Sequence, residues 1–167
     1  FMGPINIMAK EKRKSMASIE KIDFEDESLE QFGSSRLHHL PETQILDGYA
    51  CIQCNRCQDA CPAYETGKEL SPSAIEINKR YFLNENLSTL ANGEQVDIPL
   101  TDWMLSEEAA WSCTTCGYCV EVCPVGNEPM IDILRVRQDL VMTESKFPQD
   151  AVETFEKIEN YGNPWGL

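Results

Sequence analysis

The chain has 167 residues, enough for one ordinary domain or a compact domain with tails, and 42% of them are hydrophobic, enough for a modest core. Its formal net charge of −14 argues against a nucleic-acid binder, whose footprint is basic. No stretch approaches the ~18 apolar residues of a membrane span, and the apolar start Phe1 to Met8 precedes its basic residues, unlike a secretory leader.

Phe1 to Leu40 reads as an N-terminal arm (1–40), mostly extended or weakly helical. It runs from an apolar start through the basic Lys10, Lys12, Arg13 and Lys14 to an acidic stretch, Asp23 to Gln31. Pro41 opens a short helix carrying Ile45, Leu46 and Tyr49, because a first-turn N–H has no helical partner to lose. After a first cysteine clump, Ser71 is an N-cap and Pro72 the first position of a helix running to about Leu87, with Ile75, Asn78, Tyr81 or Phe82, and Leu87 at helical spacing. Asn92-Gly93 is a turn. Thr101 and Ser106 cap two short helices, and Glu107 and Glu108 suit the first-turn dipole of the second.

Beyond a second clump, Asn127 to Met142 predicts a helix with the stripe Ile131, Leu134, Val136, Leu140 and Val141. Pro148 starts a last helix with Val152, Phe155 and Ile158, stopped by Tyr161-Gly162-Asn163-Pro164. No strand pattern stands out. The expected fold class is mostly α, a domain over 41–167 with two loops each followed by a helix, behind the arm.

The chemistry sits in the clumps. Cys51, Cys54, Cys57 and Cys61-Pro62 form one; Cys113, Cys116, Cys119 and Cys123-Pro124 form the other. Both read C-x₂-C-x₂-C-x₃-C-P, and together they use all eight cysteines. Three cysteines spaced this way wrap three corners of a [4Fe–4S] cubane, with backbone N–H groups aimed at the sulfurs. The fourth, expected to have entered a helix already, points away and ligates the cluster of the other motif. Cys51, Cys54, Cys57 and Cys123 therefore form one predicted ligand set, and Cys113, Cys116, Cys119 and Cys61 the second. Cross-ligation makes folding depend on the clusters.

Structural zinc favours paired C-x₂-C with a longer gap or histidine in the set. Disulfides favour cysteines spread along a secreted chain, whereas dense clumps suit a reducing compartment. His38-His39 reads as a polar surface pair. Phe82, Trp103, Trp111 and Tyr118 read as core residues shielding the clusters, and Trp103, Leu105 and Trp111 should bury against the second clump. No nucleophile–base pair or G-x-G-x-x-G loop appears, so no catalytic site is expected.

The two motifs resemble those of dicluster ferredoxins, and their long helical spacer resembles the α-helical ferredoxin fold in the iron–sulfur subunits of heterodisulfide reductase and of anaerobic glycerol-3-phosphate dehydrogenase. The run from Asp47 to Tyr64, then Thr66 to Pro72, and the closing Tyr161-Gly-Asn-Pro-Trp165-Gly are similar to larger heterodisulfide-reductase-related iron–sulfur oxidoreductases. The resemblance implies a module between a membrane-embedded, quinone-linked region and cysteine-rich CCG domains, taking electrons from a donor such as electron-transferring flavoprotein. It implies a cytoplasmic place at the inner membrane face, with Phe1 to Lys14 near the bilayer. The net acidity itself reads either as solubility or as a face that steers basic redox partner proteins. The start at Phe1 suits a fragment of a longer chain; the alternative is a self-contained soluble ferredoxin-like subunit.

Overall fold

Prolines and hydroxyl caps set where the helices begin in this computed structural model, which describes residues 2–10, 22–26 and 31–167. Lys12, Arg13, Lys14 and part of the acidic stretch lie outside the described residues. The Ser71 hydroxyl accepts the Ala74 N–H at the start of α5 (Pro72–Glu85), and Ser106 accepts that of Ala109 at the start of α8 (Glu107–Ser112). Proline occupies the first turn of α1 (Gly3–Ala9), α4 (Pro62–Glu65) and α10 (Pro129–Met142). Pro41, Pro99 and Pro148 stand one residue earlier, at the N-caps of α2 (Glu42–Ala50), α7 (Leu100–Trp103) and α11 (Gln149–Tyr161). Thr101 therefore lies inside α7 and does not cap it.

The helix expected to reach Leu87 breaks at Asn86, which hands over to α6 (Leu87–Ala91) while its Nδ2 donates to the Phe82 carbonyl at 2.9 Å. Two single-turn helices, α3 (Arg56–Asp59) and α9 (Tyr118–Glu121), follow the cysteine loops. Among the described residues there is no strand, and the fold is mostly α as expected.

The helices fall into two similar halves. α5 packs on α2 and α3; α10 packs on α8 and α9. The halves meet where α5 touches α10 and α3 touches α9. Ile75, Phe82 and Leu83 of α5 bury against Ile133, Val136 and Leu140 of α10, with Leu100, Met104 and Ala110. Trp103 stacks on Phe82, ring centroids 3.9 Å apart. The buried stripe of α10 starts one residue before the expected one: Met130 and Ile133 are inside, while Ile131 and Leu134 are half-buried against Cys119 and Val120.

A charged knot crosses this core. The fully buried Lys79 of α5 donates to the Gln44 carbonyl of α2 (2.8 Å) and to Asp132 of α10 (2.7 Å), and pairs with Glu76 at 2.9 Å. Burial opposes the lysine charge, but Asp132 and Glu76 more than offset it and raise its pKa. Burial pushes Glu76 well above the usual carboxylate range and Asp132 up to about 6.

The arm is helical and docked where it begins. α1 packs on α2, and Asn6, with no exposed surface, donates to Asp47 (2.7 Å), to the Val125 carbonyl (3.0 Å) and to Asn127 (3.1 Å). Lys10 points inward to Asp47, Glu128 and the Gly126 carbonyl, so the first member of the basic run does not face a bilayer. Further on, the Ser34 N–H donates to the Arg135 carbonyl of α10 at 2.9 Å. Gly33, at φ +78°, permits that approach, because a Cβ there would collide with the same oxygen. At the other end, α11 leaves Phe155 and Ile158 exposed, so its predicted stripe is not covered by the described residues. No helix among the described residues is long and apolar enough to cross a membrane.

Candidate metal centre

The sequence repeat is also a backbone repeat. α2 and α8 stop at the first cysteine of each motif, with Cys51 at φ −55°, ψ 123° and Cys113 at φ −69°, ψ 128°. Two residues on, Gln53 and Thr115 are left-handed, at φ 56° and 55°. Two further on, Asn55 and Gly117 are left-handed again, at φ 59° and 73°. Three of these four are not glycine, and each such residue costs about 1 kcal/mol or more unless the surroundings demand it. What the shape delivers is a set of N–H groups turned to sulfur. Gln53 N–H donates to Cys51 Sγ at 3.4 Å and Thr115 N–H to Cys113 Sγ at 3.3 Å. Asn127 N–H donates to Cys123 Sγ at 3.2 Å.

The third cysteine of each motif, not the fourth, sits in the helical turn: Cys57 in α3 and Cys119 in α9. Cys61 follows as the N-cap of α4, and Cys123 lies just past the end of α9. The expectation that the fourth cysteine had entered a helix was one residue of the motif too late. The turn carries the chain off the loop, so the fourth thiol leaves it.

One cavity is lined by Cys51, Cys54 and Cys57 together with Cys123, which arrives from the other motif; Cys119 and the buried Glu76 also border it. Burial pushes the Cys57 thiol up to about 12, and Cys123 and Cys51 add to the shift. Burial pushes Cys119 up to about 12 as well, with Cys113, Cys116 and Cys61 among the neighbours that contribute. Cys61 likewise raises Cys113. Cys123 thus shares a cavity with the three loop cysteines of the first motif, and Cys61 is near enough to Cys113 and Cys119 to raise both thiols.

This donor set fits [4Fe–4S] clusters. All eight cysteines are free thiols. Among the described residues no three histidine, cysteine, aspartate or glutamate side chains converge as a single ion requires, whereas a cubane takes four separated thiolates. His38 and His39 meet edge-on, and Nδ1 of His39 lies 3.2 Å from Ser35 Oγ, a local polar contact. Of the proposed shielding aromatics, Phe82 is buried and Trp103 and Trp111 are half-buried against the core, but Tyr118 is 54% exposed and shields little. The sequence reading missed the left-handed positions and Glu76, whose only signal was a glutamate on the apolar face of α5.

Residues 47–127, which include every cysteine, match the family model of the 4Fe-4S dicluster domain. The chain binds two [4Fe–4S] clusters, and it is similar to iron–sulfur oxidoreductases. It is 34% identical, over 99% of its length, to FadF of Bacillus subtilis, a probable iron-sulfur-binding oxidoreductase. It is 30% identical over 90% of its length to an EtfAB:quinone oxidoreductase of Syntrophomonas wolfei, and 29% identical over 74% to a probable membrane-anchored ferredoxin of Chromohalobacter salexigens. The chain spans 28%, 24% and 21% of those proteins, respectively.

Proposed function

We propose that this chain is the electron-relay module of a membrane-associated oxidoreductase related to heterodisulfide reductase, carrying electrons from an electron-transferring flavoprotein toward quinone. Cys51, Cys54, Cys57 and Cys123 hold one cluster; Cys113, Cys116, Cys119 and Cys61 hold the other. The observation that carries the ligand assignment is the cavity shared by the first motif's three loop cysteines and Cys123. The relatives named for flavoprotein–quinone chemistry and for a membrane anchor support the wider setting, as does their greater length.

Each cluster supplies one-electron redox chemistry when bound. The residues do the rest. The left-handed loops aim N–H groups at sulfur and so favour thiolate charge. Cys57 and Cys119 pack together with Val120 and Met130 where the halves meet, so the two ligand sets share an apolar border. Ile5, Ile7 and Met8 of α1 are exposed and, in this reading, face the membrane region. CCG domains, in this reading, are further partners in the longer polypeptide.

The test is anaerobic reconstitution of the chain, iron and sulfide assay, and rapid mixing with reduced electron-transferring flavoprotein. About eight iron per chain, with bleaching of cluster absorbance on mixing, is expected. Full loading without electron uptake from the flavoprotein would remove that donor; failure to load iron would remove the ligand assignment.

A further inference from the structure

Two arginines repeat in step with the cysteine loops. Arg80 of α5 donates Nε to the Gly48 carbonyl at 2.9 Å and Nη2 to the carbonyl of Cys51. Arg137 of α10 donates Nε to the Ala110 carbonyl at 2.8 Å and Nη2 to the carbonyl of Cys113 at 2.5 Å. Gly48 and Ala110 each stand three residues before the first cysteine of their motif. The same forked grip is therefore made twice, each time by the long helix of that half on the end of the helix that delivers the first cysteine.

Those carbonyls belong to the last turns of α2 and α8, where the helix leaves them without partners. A guanidinium is a rigid fork suited to two neighbouring oxygens at once. Among the described residues neither Arg80 nor Arg137 forms an ion pair with a carboxylate, although Glu76 borders the cavity on the Arg80 side. Arg137 lies 5.2 Å over the Trp111 ring, which holds it in place without neutralising it.

We propose that Arg80 and Arg137 are paired positioning residues, each anchoring the first cysteine of one cluster loop and supplying a positive charge outside any ion pair that favours reduction of that cluster. Net charge and hydrogen bonding are among the determinants of cluster potential. A fixed cation helps the form that has gained an electron, and the step is only that gain, with no bond made or broken. The inference rests on the ligand assignment above.

The experiment is an EPR-monitored redox titration of the holo chain, with iron assayed, on native protein, R80Q, R137Q, R80K and R137K. Each glutamine variant should lower the reduction equilibrium constant of one cluster about tenfold, or about 59 mV for one electron. The other midpoint should stay in place, and the two variants should move different midpoints. The lysine variants keep the charge but not the fork, so they should hold near-native midpoints while losing iron faster. Should a glutamine variant fail to load its cluster, the lysine variant still decides. A native midpoint there supports the charge role, and a drop as large as tenfold overturns it. Native midpoints in fully loaded glutamine variants, or equal movement of both clusters by one variant, also overturn it. If native protein showed no cluster signals at all, the ligand assignment would fail instead, so the two failures are distinguishable.

Discussion

Gln53 and Thr115 hold the same left-handed backbone, φ 56° and 55°, two residues past the first cysteine of their motifs. Neither residue type favours that region, and Thr115 is β-branched, the worst case. Two unrelated side chains share one strained shape because the shape turns their N–H groups to Cys51 and Cys113. The companion positions, Asn55 and Gly117, make the strain testable, since asparagine and glycine tolerate it. Asn55→Gly should leave cluster content unchanged. Gly117→Val should cost roughly 1–3 kcal/mol and lower occupancy of the second site. Iron content and anaerobic denaturant unfolding of both variants check this, and equal loading of the two would count against a cluster-imposed loop.

Cross-ligation predicts which iron is lost with which thiol. Cys123 shares a cavity with Cys51, Cys54 and Cys57, while Cys61 is near enough to Cys113 and Cys119 to raise both thiols. Cys123→Ser should therefore disturb the same EPR signal as Cys51→Ser, and Cys61→Ser the same signal as Cys113→Ser. If Cys123→Ser instead matched Cys113→Ser, each motif would close on its own cluster.

The cluster loops were the most legible part of this chain, because ligand spacing on a cubane is a local constraint that the sequence states directly. Ser71 and Ser106 were legible as caps for the same reason. Thr101 was not, since Pro99 starts α7 earlier and the hydroxyl falls inside the helix. Tertiary packing decided the rest. The stripe of α10 is shifted by the demand of Lys79 for Asp132, which pulls a carboxylate inward at a position the apolar pattern leaves polar. Lys10 reads as one of a basic run, and only the buried Asp47 across the fold turns it inward. Arg80 and Arg137 carried no signal, because their partners are backbone carbonyls.

Asp47 gathers the start of the chain onto the second motif. Its carboxylate accepts from Asn6, from Lys10 and from the Glu128 N–H, while Lys10 also holds the Gly126 carbonyl just after Cys123. Residues sharing one buried network couple by about 0.5–3 kcal/mol. A double-mutant cycle on Lys10→Met and Asp47→Asn, read by anaerobic unfolding, should give a coupling in that range. Lys10→Met should also speed protease cleavage near α1. Additive single effects would mean that α1 rests on its apolar contacts alone.

The core knot makes a prediction about pH that runs against ordinary acid denaturation. Glu76 and Asp132 are buried carboxylates that share the single cation of Lys79, and both are raised. Burial accordingly raises Asp132 from its ordinary 3.8 to about 6, and Glu76 moves the same way. A carboxyl whose folded pKa is raised contributes stability that is complete below its unfolded pKa and lost as pH rises through its folded pKa. The contribution of Asp132 should therefore fall between about pH 4 and pH 6. Asp132→Asn cannot titrate, so the stability difference between native protein and variant should change across that window, with native protein losing more as pH rises. Lys79→Met, by contrast, strands both carboxylates in the core and should cost about 3–5 kcal/mol at neutral pH. Denaturant unfolding of native protein and both variants at pH 4.5 and pH 7 measures all three. Parallel pH dependence for native protein and Asp132→Asn would show that Asp132 keeps its charge throughout, held by Lys79 alone.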